Sequence, residues 1–344
     1  MSAPISIFGA GSWGTALAVH LAQSGRSVTL WARRDEQASE MAETRRNREY
    51  LPGIDLPPPV HVTSDLEEAA MASDMWAIAV PSQQVRSFVS RLRPYLRRDV
   101  IAASLAKGIE NDTLMTMSQV LEDVLVPPLG RERIGVLYGP SHAEEVAEGR
   151  PTTVVAAAHA ASVAESVQEA FMTDRLRVYA NTDVIGVEIG GSAKNVLAIA
   201  AGISDGVGYG DNAKAALVTR GIAEIKRLGL ALGADAMTFA GLAGIGDLVV
   251  TCMSRHSRNR GLGEQIGSGK TLDEALGSMH MVAEGVKTTQ SIHDLAQRHH
   301  IEMPITEAVY AVLFKGRRPH EMMEKLMTRS AKRENWLPEV LQKS

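Results

Sequence analysis

The first 180 or so residues alternate short, almost continuously apolar runs with longer stretches whose apolar positions recur every three or four residues. The runs are Ile5–Gly9, Val28–Trp31, Met75–Val80, Val100–Ser104, Ile134–Tyr138, Thr153–Ala158 and Arg177–Tyr179. Their lack of polar alternation predicts strands covered on both faces, as in a mostly parallel sheet. The stretches between them predict amphipathic helices, and Ser64-x-x-Glu67 and Ser162-x-x-Glu165 have the spacing of capping boxes. Such alternation predicts a doubly wound α/β domain. After Asp183 the pattern changes. Gly190–Ala201 and Ala213–Leu232 read as long helices, Thr271-x-x-Glu274 opens another, and 283–298 and 321–330 follow. The expected organisation is therefore an α/β domain over 1–185 and a mainly α-helical domain over 186–344. Pro57-Pro58-Pro59 reads as a loop inside the first domain.

The first strand runs into Gly9-Ala10-Gly11-Ser12-Trp13-Gly14 and then a helix expected over Thr15–Ser24. In this G-x-G-x-x-G setting Gly9 permits the tight turn, Gly11 lets backbone approach a pyrophosphate, and Gly14 lets the helix pack against the strand. The free N–H groups of the helix start face the anion. The domain is thus expected to be Rossmann-type and to bind a dinucleotide. The second strand ends in Arg33-Arg34-Asp35. Arginines there suit a 2′-phosphate and an adenine face, which favours NADPH; Asp35, one residue on, keeps NADH in play.

Composition narrows the classes. A net charge of -4 supplies no basic field for nucleic acid. The lone Cys252 excludes an intramolecular disulfide and points to a reducing cytoplasm. No signal-peptide pattern follows Met1, and no uninterrupted apolar run reaches the ~18–20 residues of a membrane span. Cys252 itself sits in an apolar run and reads as a buried small residue. Gly267-Ser268-Gly269-Lys270-Thr271 ends like a P-loop, but Glu264 stands where the motif needs glycine and no strand precedes it. His299-His300 has no ligand cluster at metal spacing, so no metal is expected.

Four polar features besides Lys194 fall where structure alone would not place them. Lys107 and the stretch 138–145, with Gly139 and a helix expected from Ser141, follow strands at the edge where such sheets bind ligands. Asp247 lies between a glycine-rich turn and an apolar run, and Arg255, Arg258 and Arg260 cluster with Ser257 and Asn259 as an anion receptor. Lys194 is the single charged residue between Ile189 and Ile203. A lysine there either snorkels to the surface or serves as the acid that protonates a carbonyl oxygen as hydride arrives, compensated by a carboxylate such as Asp247. Gly190 and Gly191 predict close approach of that helix to cofactor and substrate.

The motifs GAGSWGTALA (9–18), AVPSQ (79–83), KGIE (107–110), GPS-x-A-E (139–144), GVEIGGSAKNVLAIAAGISDG (186–206), DNAKAAL (211–217), GLAGIGDLVVTC (241–252), SRNRGLG (257–263) and VAEGVKT (282–288) resemble the NAD(P)-dependent glycerol-3-phosphate dehydrogenase family, in its bacterial form, over nearly the whole chain. The resemblance implies reversible reduction of dihydroxyacetone phosphate to sn-glycerol 3-phosphate with NADPH or NADH, supplying glycerophospholipid synthesis. It implies Lys194 as the catalytic lysine, with Asn195, Asp247 and Thr251 orienting it and the substrate. It implies substrate contacts from Lys107, Gly139, Ser141, Ser257, Arg258 and Asn259 alongside Lys194 and Asp247. Ser12, Trp13, Arg33, Arg34, Lys107, Ala143, Arg258, Val282 and Glu284 match cofactor positions, joining Gly9, Gly11 and Gly14. The site is expected in the cleft between the two domains. A homodimer is compatible with this reading, and neither a nucleic-acid partner nor a membrane span is expected.

Four positions depart from the family's usual residues: Ser192 and Ala193 before the lysine, Tyr138, and His142, which adds a titratable group beside the site. Two rival readings are another two-domain hydroxy-acid dehydrogenase, which leaves Ser257–Arg260 unexplained, and a dinucleotide sensor without chemistry, which leaves Lys194, Asn195, Asp247 and Arg258 unexplained.

Overall fold

A computed structural model describes residues 3–127, 129–279 and 283–331. The chain divides into two compact units, Met1–Lys107 with Met115–Val184, and Gly108–Leu114 with Ile185–Ser344. The short segment Gly108–Leu114, part of the α/β half by sequence order, packs with the second unit.

The first unit runs β1 (Ile5–Phe8), α1 (Ser12–Gln23), β2 (Val28–Trp31), α2 (Asp35–Thr44), β3 (Val60–Thr63), α3 (Leu66–Met71), β4 (Met75–Ile78), α4 (Val85–Leu92), β5 (Ile101–Ser104), α5 (Met117–Leu125), β6 (Ile134–Tyr138), α6 (Ala143–Ala147), β7 (Thr152–Ala158), α7 (Ala161–Phe171) and β8 (Leu176–Asn181). The strands form one sheet in the order β3-β2-β1-β4-β5-β6-β7-β8. All neighbours are parallel except β6 and β7. Because β1 lies between β2 and β4, chain connections leave it in opposite directions, and a crevice opens there at the carboxyl ends of the strands.

The apolar runs form strands because both faces of the sheet are covered. Ile5, Ile7, Met75 and Ala77 belong to one buried layer with Leu17 and Leu21 of α1, whereas Phe8, Trp76 and Ile78 belong to the other with Phe88 of α4. Alternation along these strands therefore selects between two cores rather than between core and water. Fully burying each such side chain contributes roughly 1.5–3 kcal/mol. The one polar residue inside β1, Ser6, is satisfied by donating to Ala69 O at 2.6 Å.

Sequence pattern missed β3, a four-residue edge strand whose His61 is exposed and which follows the proline cluster. Two expected capping boxes also shift. Asp65, not Ser64, caps α3 by accepting from Glu67 N and Glu68 N. α7 starts at Ala161 with no side-chain cap, leaving Ser162 inside the helix. The Thr271–Glu274 box is present. α6 starts two residues later than Ser141, with His142 at its N-cap.

The second unit is helical: α8 (Val184–Val207), α9 (Gly210–Ala231), α10 (Asp247–Met253), α11 (Arg258–Gly267), α12 (Leu272–Gly277), α13 (Glu284–Arg298), α14 (Pro304–Lys315) and α15 (Pro319–Met327). α8 is long and apolar enough to cross a membrane, but 94% of the apolar window is buried inside the protein. It is the central helix of this unit's core. α8 and α11 touch backbone to backbone: a Cβ on Gly202 would lie 1.9 Å from Arg260 O, and one on Gly263 2.1 Å from Ile199 O. Only glycine permits that approach. Lys270 is solvated and donates to Gln265 Oε1 at 2.8 Å, as expected of a turn. His299 and His300 end α13, and no metal-ligand cluster occurs among the described residues.

The start of α14 is held by a buried carboxylate on α9. Glu224 accepts from Ile305 N at 2.8 Å and Thr306 N at 3.3 Å, beside the positive charge of Arg227. Burial outweighs these contacts and pushes the Glu224 carboxyl up to about 7. Between its ordinary value of 4.5 and about 7, the folded state therefore binds more protons than the unfolded state, so stability falls as pH rises. Urea unfolding at a series of pH values should show Glu224 contributing a slope of up to about 1.4 kcal/mol per pH unit there. Glu224→Gln should flatten it; an unchanged slope would contradict the assignment.

Candidate active site

In the first unit, the candidate residues follow the carboxyl ends of β1, β2, β5 and β6. Gly9 has φ +124°, and a Cβ there would also lie 2.6 Å from Ala79 O. A Cβ on Gly14 would lie 2.0 Å from Gly9 O, so helix and turn pack as the fingerprint requires. Gly11 differs: nothing lies within 4 Å of where its Cβ would be. It is the N-cap of α1, with Ser12 and Trp13 as the first helical residues, one turn earlier than the sequence pattern placed the helix. The open face thus meets N–H groups that an α-helix start leaves without intrahelical partners. These residues fit a dinucleotide pyrophosphate.

Arg33 and Arg34 follow β2 and are exposed. Asp35 opens α2, where an acid complements the helix dipole. Arg34 pairs with Glu49 at the rim of a recess of about 310 Å³ that Gln37, Arg46, Asn47 and Arg48 also line. At the ends of β5 and β6, Lys107 Nζ donates to Gly139 O at 2.7 Å, and Ser141 Oγ donates to the same oxygen at 3.0 Å. Tyr138 donates its phenol O–H to Ala106 O, tying β6 to the backbone beside Lys107. Ala143 and Trp13 pack on a small cluster of Ala16, Leu51 and Ala147.

In the second unit, Lys194 projects from α8 and does not snorkel: it is 6% exposed. Its Nζ pairs with Asp247 Oδ1 and donates to Thr251 Oγ1 at 2.9 Å. Asp247 is 0% exposed and begins α10, after a π-helical turn at Leu242–Gly246. Thr251, one turn further on, donates its own proton to Asp247 O at 2.5 Å. Its oxygen therefore meets the lysine as an acceptor. Gly190 sets this arrangement one turn before Lys194. A Cβ there would lie 2.4 Å from Ala243 O, so its smallness serves the approach of α8 to the π-helical turn that delivers Asp247.

Asn195, Ser257, Asn259 and Glu284 lie in the same unit. Ser257 Oγ caps α11 by accepting from Arg260 N at 3.2 Å. Arg258 is the exposed first residue of that helix, and Asn259 Oδ1 accepts from Gly285 N at 3.0 Å, next to Glu284 at the start of α13. Gly285 also approaches Asn195 O, where a Cβ would come within 2.9 Å. Of the three clustered arginines, Arg260 is committed internally. Its Nε and Nη2 donate to Asp205 Oδ2 at 2.8 and 2.7 Å, and Lys214 meets Asp205 Oδ1 at 2.5 Å. That network anchors α11 and had no local sequence signal. Val282 lies outside the described residues.

A glycine-loop α/β unit joined to a helical unit with a buried lysine–carboxylate pair defines a nicotinamide-dependent oxidoreductase. Comparisons give the family. Residues 4–164 match the model for the N-terminus of NAD-dependent glycerol-3-phosphate dehydrogenase, and 183–324 the model for its C-terminus. The chain is 70% identical over 341 residues to a glycerol-3-phosphate dehydrogenase [NAD(P)+] of Salinibacter ruber, covering 99% of each chain. It is 53% identical to one from Chlorobium phaeobacteroides, covering 96% of this chain and 98% of that one. Its structure is similar to the crystal structure of a glycerol-3-phosphate dehydrogenase from Coxiella burnetii, with TM-score 0.90, 38% identity, and coverage of 95% and 99%. The chain belongs to the NAD-dependent glycerol-3-phosphate dehydrogenase family.

Cys252, next to Thr251, is 0% exposed, and burial pushes its thiol up to about 12. At ~pH 8 it should resist alkylation in the folded protein and react once the chain is unfolded, because the thiolate is the reactive form. Stoichiometric labelling of native protein, read by mass spectrometry, would contradict this burial.

Proposed function

We propose that the protein catalyses the reversible reduction of dihydroxyacetone phosphate to sn-glycerol 3-phosphate with NADPH or NADH, supplying glycerophospholipid synthesis. The observation that carries the mechanism is the buried contact of Lys194 with Asp247 and Thr251. When bound, the nicotinamide supplies hydride to the carbonyl carbon. Lys194 Nζ gives a proton to the carbonyl oxygen in reduction and takes it back in oxidation. Asp247 balances the lysine's charge in a low-dielectric setting, and Thr251 fixes the direction of its amine. Asn195 orients substrate oxygens.

Phosphate recognition is assigned to Arg258 and Asn259 at the positive end of α11, and further substrate contacts to Lys107, Gly139, Ser141 and Ser257. Gly9, Gly11, Ser12, Trp13 and Gly14 hold the dinucleotide, with Arg33, Arg34, Lys107, Ala143, Arg258, Val282 and Glu284 as further cofactor positions. The exposed arginines after β2 favour NADPH over NADH. The division of labour is a dinucleotide domain over 1–185 and a substrate domain over 186–344. The setting is the cytoplasm, with small-molecule partners and room for a homodimer.

NADPH oxidation with dihydroxyacetone phosphate tests the activity, and Michaelis curves with both cofactors should give the higher kcat/KM for NADPH. Lys194→Ala should lower kcat by at least ~10²–10⁴-fold, the usual reach of general acid catalysis. Cofactor binding without turnover would point to a sensor, and turnover of only another hydroxy acid to a different dehydrogenase. Near-normal kcat in Lys194→Ala would overturn the lysine's role.

A further inference from the structure

Ala10 sits between two glycines of the phosphate loop, and its carbonyl oxygen accepts two side-chain amide hydrogen bonds. Gln37 Nε2 donates at 3.0 Å and Asn47 Nδ2 at 2.9 Å. The same Asn47 amide nitrogen donates to Thr15 Oγ1 at 2.8 Å, and Asn47 Oδ1 accepts from Tyr50 N at 3.2 Å. Asn47 is 2% exposed, so both its donors and its acceptor are used inside the protein.

The chain between α2 and β3 that carries Asn47 has no strand or α-helix of its own, yet it is fastened at several points. Arg45 adopts φ 55° and donates to Leu56 O at 3.3 Å and to Val60 O at 3.0 Å. An isolated bridge joins Arg46 to Asp55, and Leu51 is buried with Ala16 of α1 and Ala147 of α6. Asn47 therefore reaches the glycine loop from a fixed base.

A peptide plane explains why one carbonyl receives two donors. Ala10 C=O and Gly11 N–H belong to the same planar trans amide and point in opposite directions. Pinning the oxygen toward Gln37 and Asn47 aims the Gly11 N–H the other way. Without that hold, a loop with three glycines in six residues would sample other orientations, some turning the carbonyl toward an anion. We propose that Asn47, assisted by Gln37, is a positioning residue that presets the glycine loop for the cofactor's pyrophosphate. It lowers the ordering cost of binding rather than touching the reacting atoms. The inference rests on dinucleotide binding by Gly9–Gly14.

Asn47→Leu keeps side-chain size and removes every polar atom. In fluorescence titration its Kd for NADPH should rise about 10–100-fold, equivalent to about 1.4–2.8 kcal/mol, as expected for losing buried hydrogen bonds. In steady-state kinetics KM for NADPH should rise likewise, while KM for dihydroxyacetone phosphate at saturating NADPH should move less than about threefold. Gln37→Met removes one donor at a half-buried site and should raise the NADPH Kd about 3–10-fold, so the test survives if Asn47→Leu does not fold. Unchanged NADPH affinity in the variants that fold, or both KM values rising together, would overturn the proposal. Wild-type protein that failed to bind NADPH would overturn dinucleotide binding itself. Binding without turnover of dihydroxyacetone phosphate would overturn the reaction assigned above while leaving the Kd comparison valid.

Discussion

The second unit is organised around one expensive contact, the ion pair of Lys194 with Asp247 inside an apolar helical core. Withdrawing both charges from water costs several kcal/mol per ion before their attraction is counted. Such a pair survives only if its geometry is fixed, and the neighbouring structure fixes it. Gly190 brings α8 against the turn before α10, Asp247 opens α10, and Thr251 returns one turn later to hold the lysine from a second side. Removing either partner would leave a buried charge uncompensated, at a cost of about 3–5 kcal/mol. A hydrophobic core had no need of it, which is why the pair reads as chemistry.

The same economy governs the first unit, with backbone in place of side chains. Two cores on opposite faces of one sheet hold β1 so firmly that the turn after it can be built from glycine. Gly9 and Gly14 are spent on close packing, whereas Gly11 leaves its side open to a ligand. The loop's orientation is then controlled from outside, by amides on α2 and on the chain that follows it. In the helical unit, Asp205 does for α11 what Asn47 does for the loop: it anchors the element that carries the proposed recognition groups while touching Arg260 rather than Arg258. In both units the residues expected to meet ligand are shaped by a neighbour with another duty.

Much of this was legible in the sequence because burial leaves a pattern. Seven of the eight strands coincide with runs read from the sequence, most of them mainly apolar, and the glycine fingerprint, Lys194 and Asp247 stand out as residues that packing alone would not choose. β3 was missed because a short edge strand with an exposed His61 has neither an apolar run nor clean alternation. The cap at Ser64 falls one residue later because two small polar residues compete there and Asp65 accepts both N–H groups, whereas α7 already starts at Ala161, which leaves Ser162 inside the helix. Asn47 carried no signal, and Asp205 stood within a matching motif with nothing to mark its partner. Their meaning lies in partners far along the chain, such as Ala10 for Asn47 and Arg260 for Asp205. Spacing arguments see helix faces and strand faces; they do not see a side chain crossing between elements.

If Lys194 and Asp247 act as one unit in the reaction, a double-mutant cycle on kcat/KM reveals their coupling. Lys194→Met, Asp247→Asn and the combined variant would be compared with the wild-type enzyme, with folding of each checked by circular dichroism. If the carboxylate works through the lysine, Asp247→Asn costs activity in the wild-type background and almost nothing once Lys194 is gone, a coupling beyond the ~0.5 kcal/mol expected of independent sites. Fully additive losses would show that the two side chains act independently.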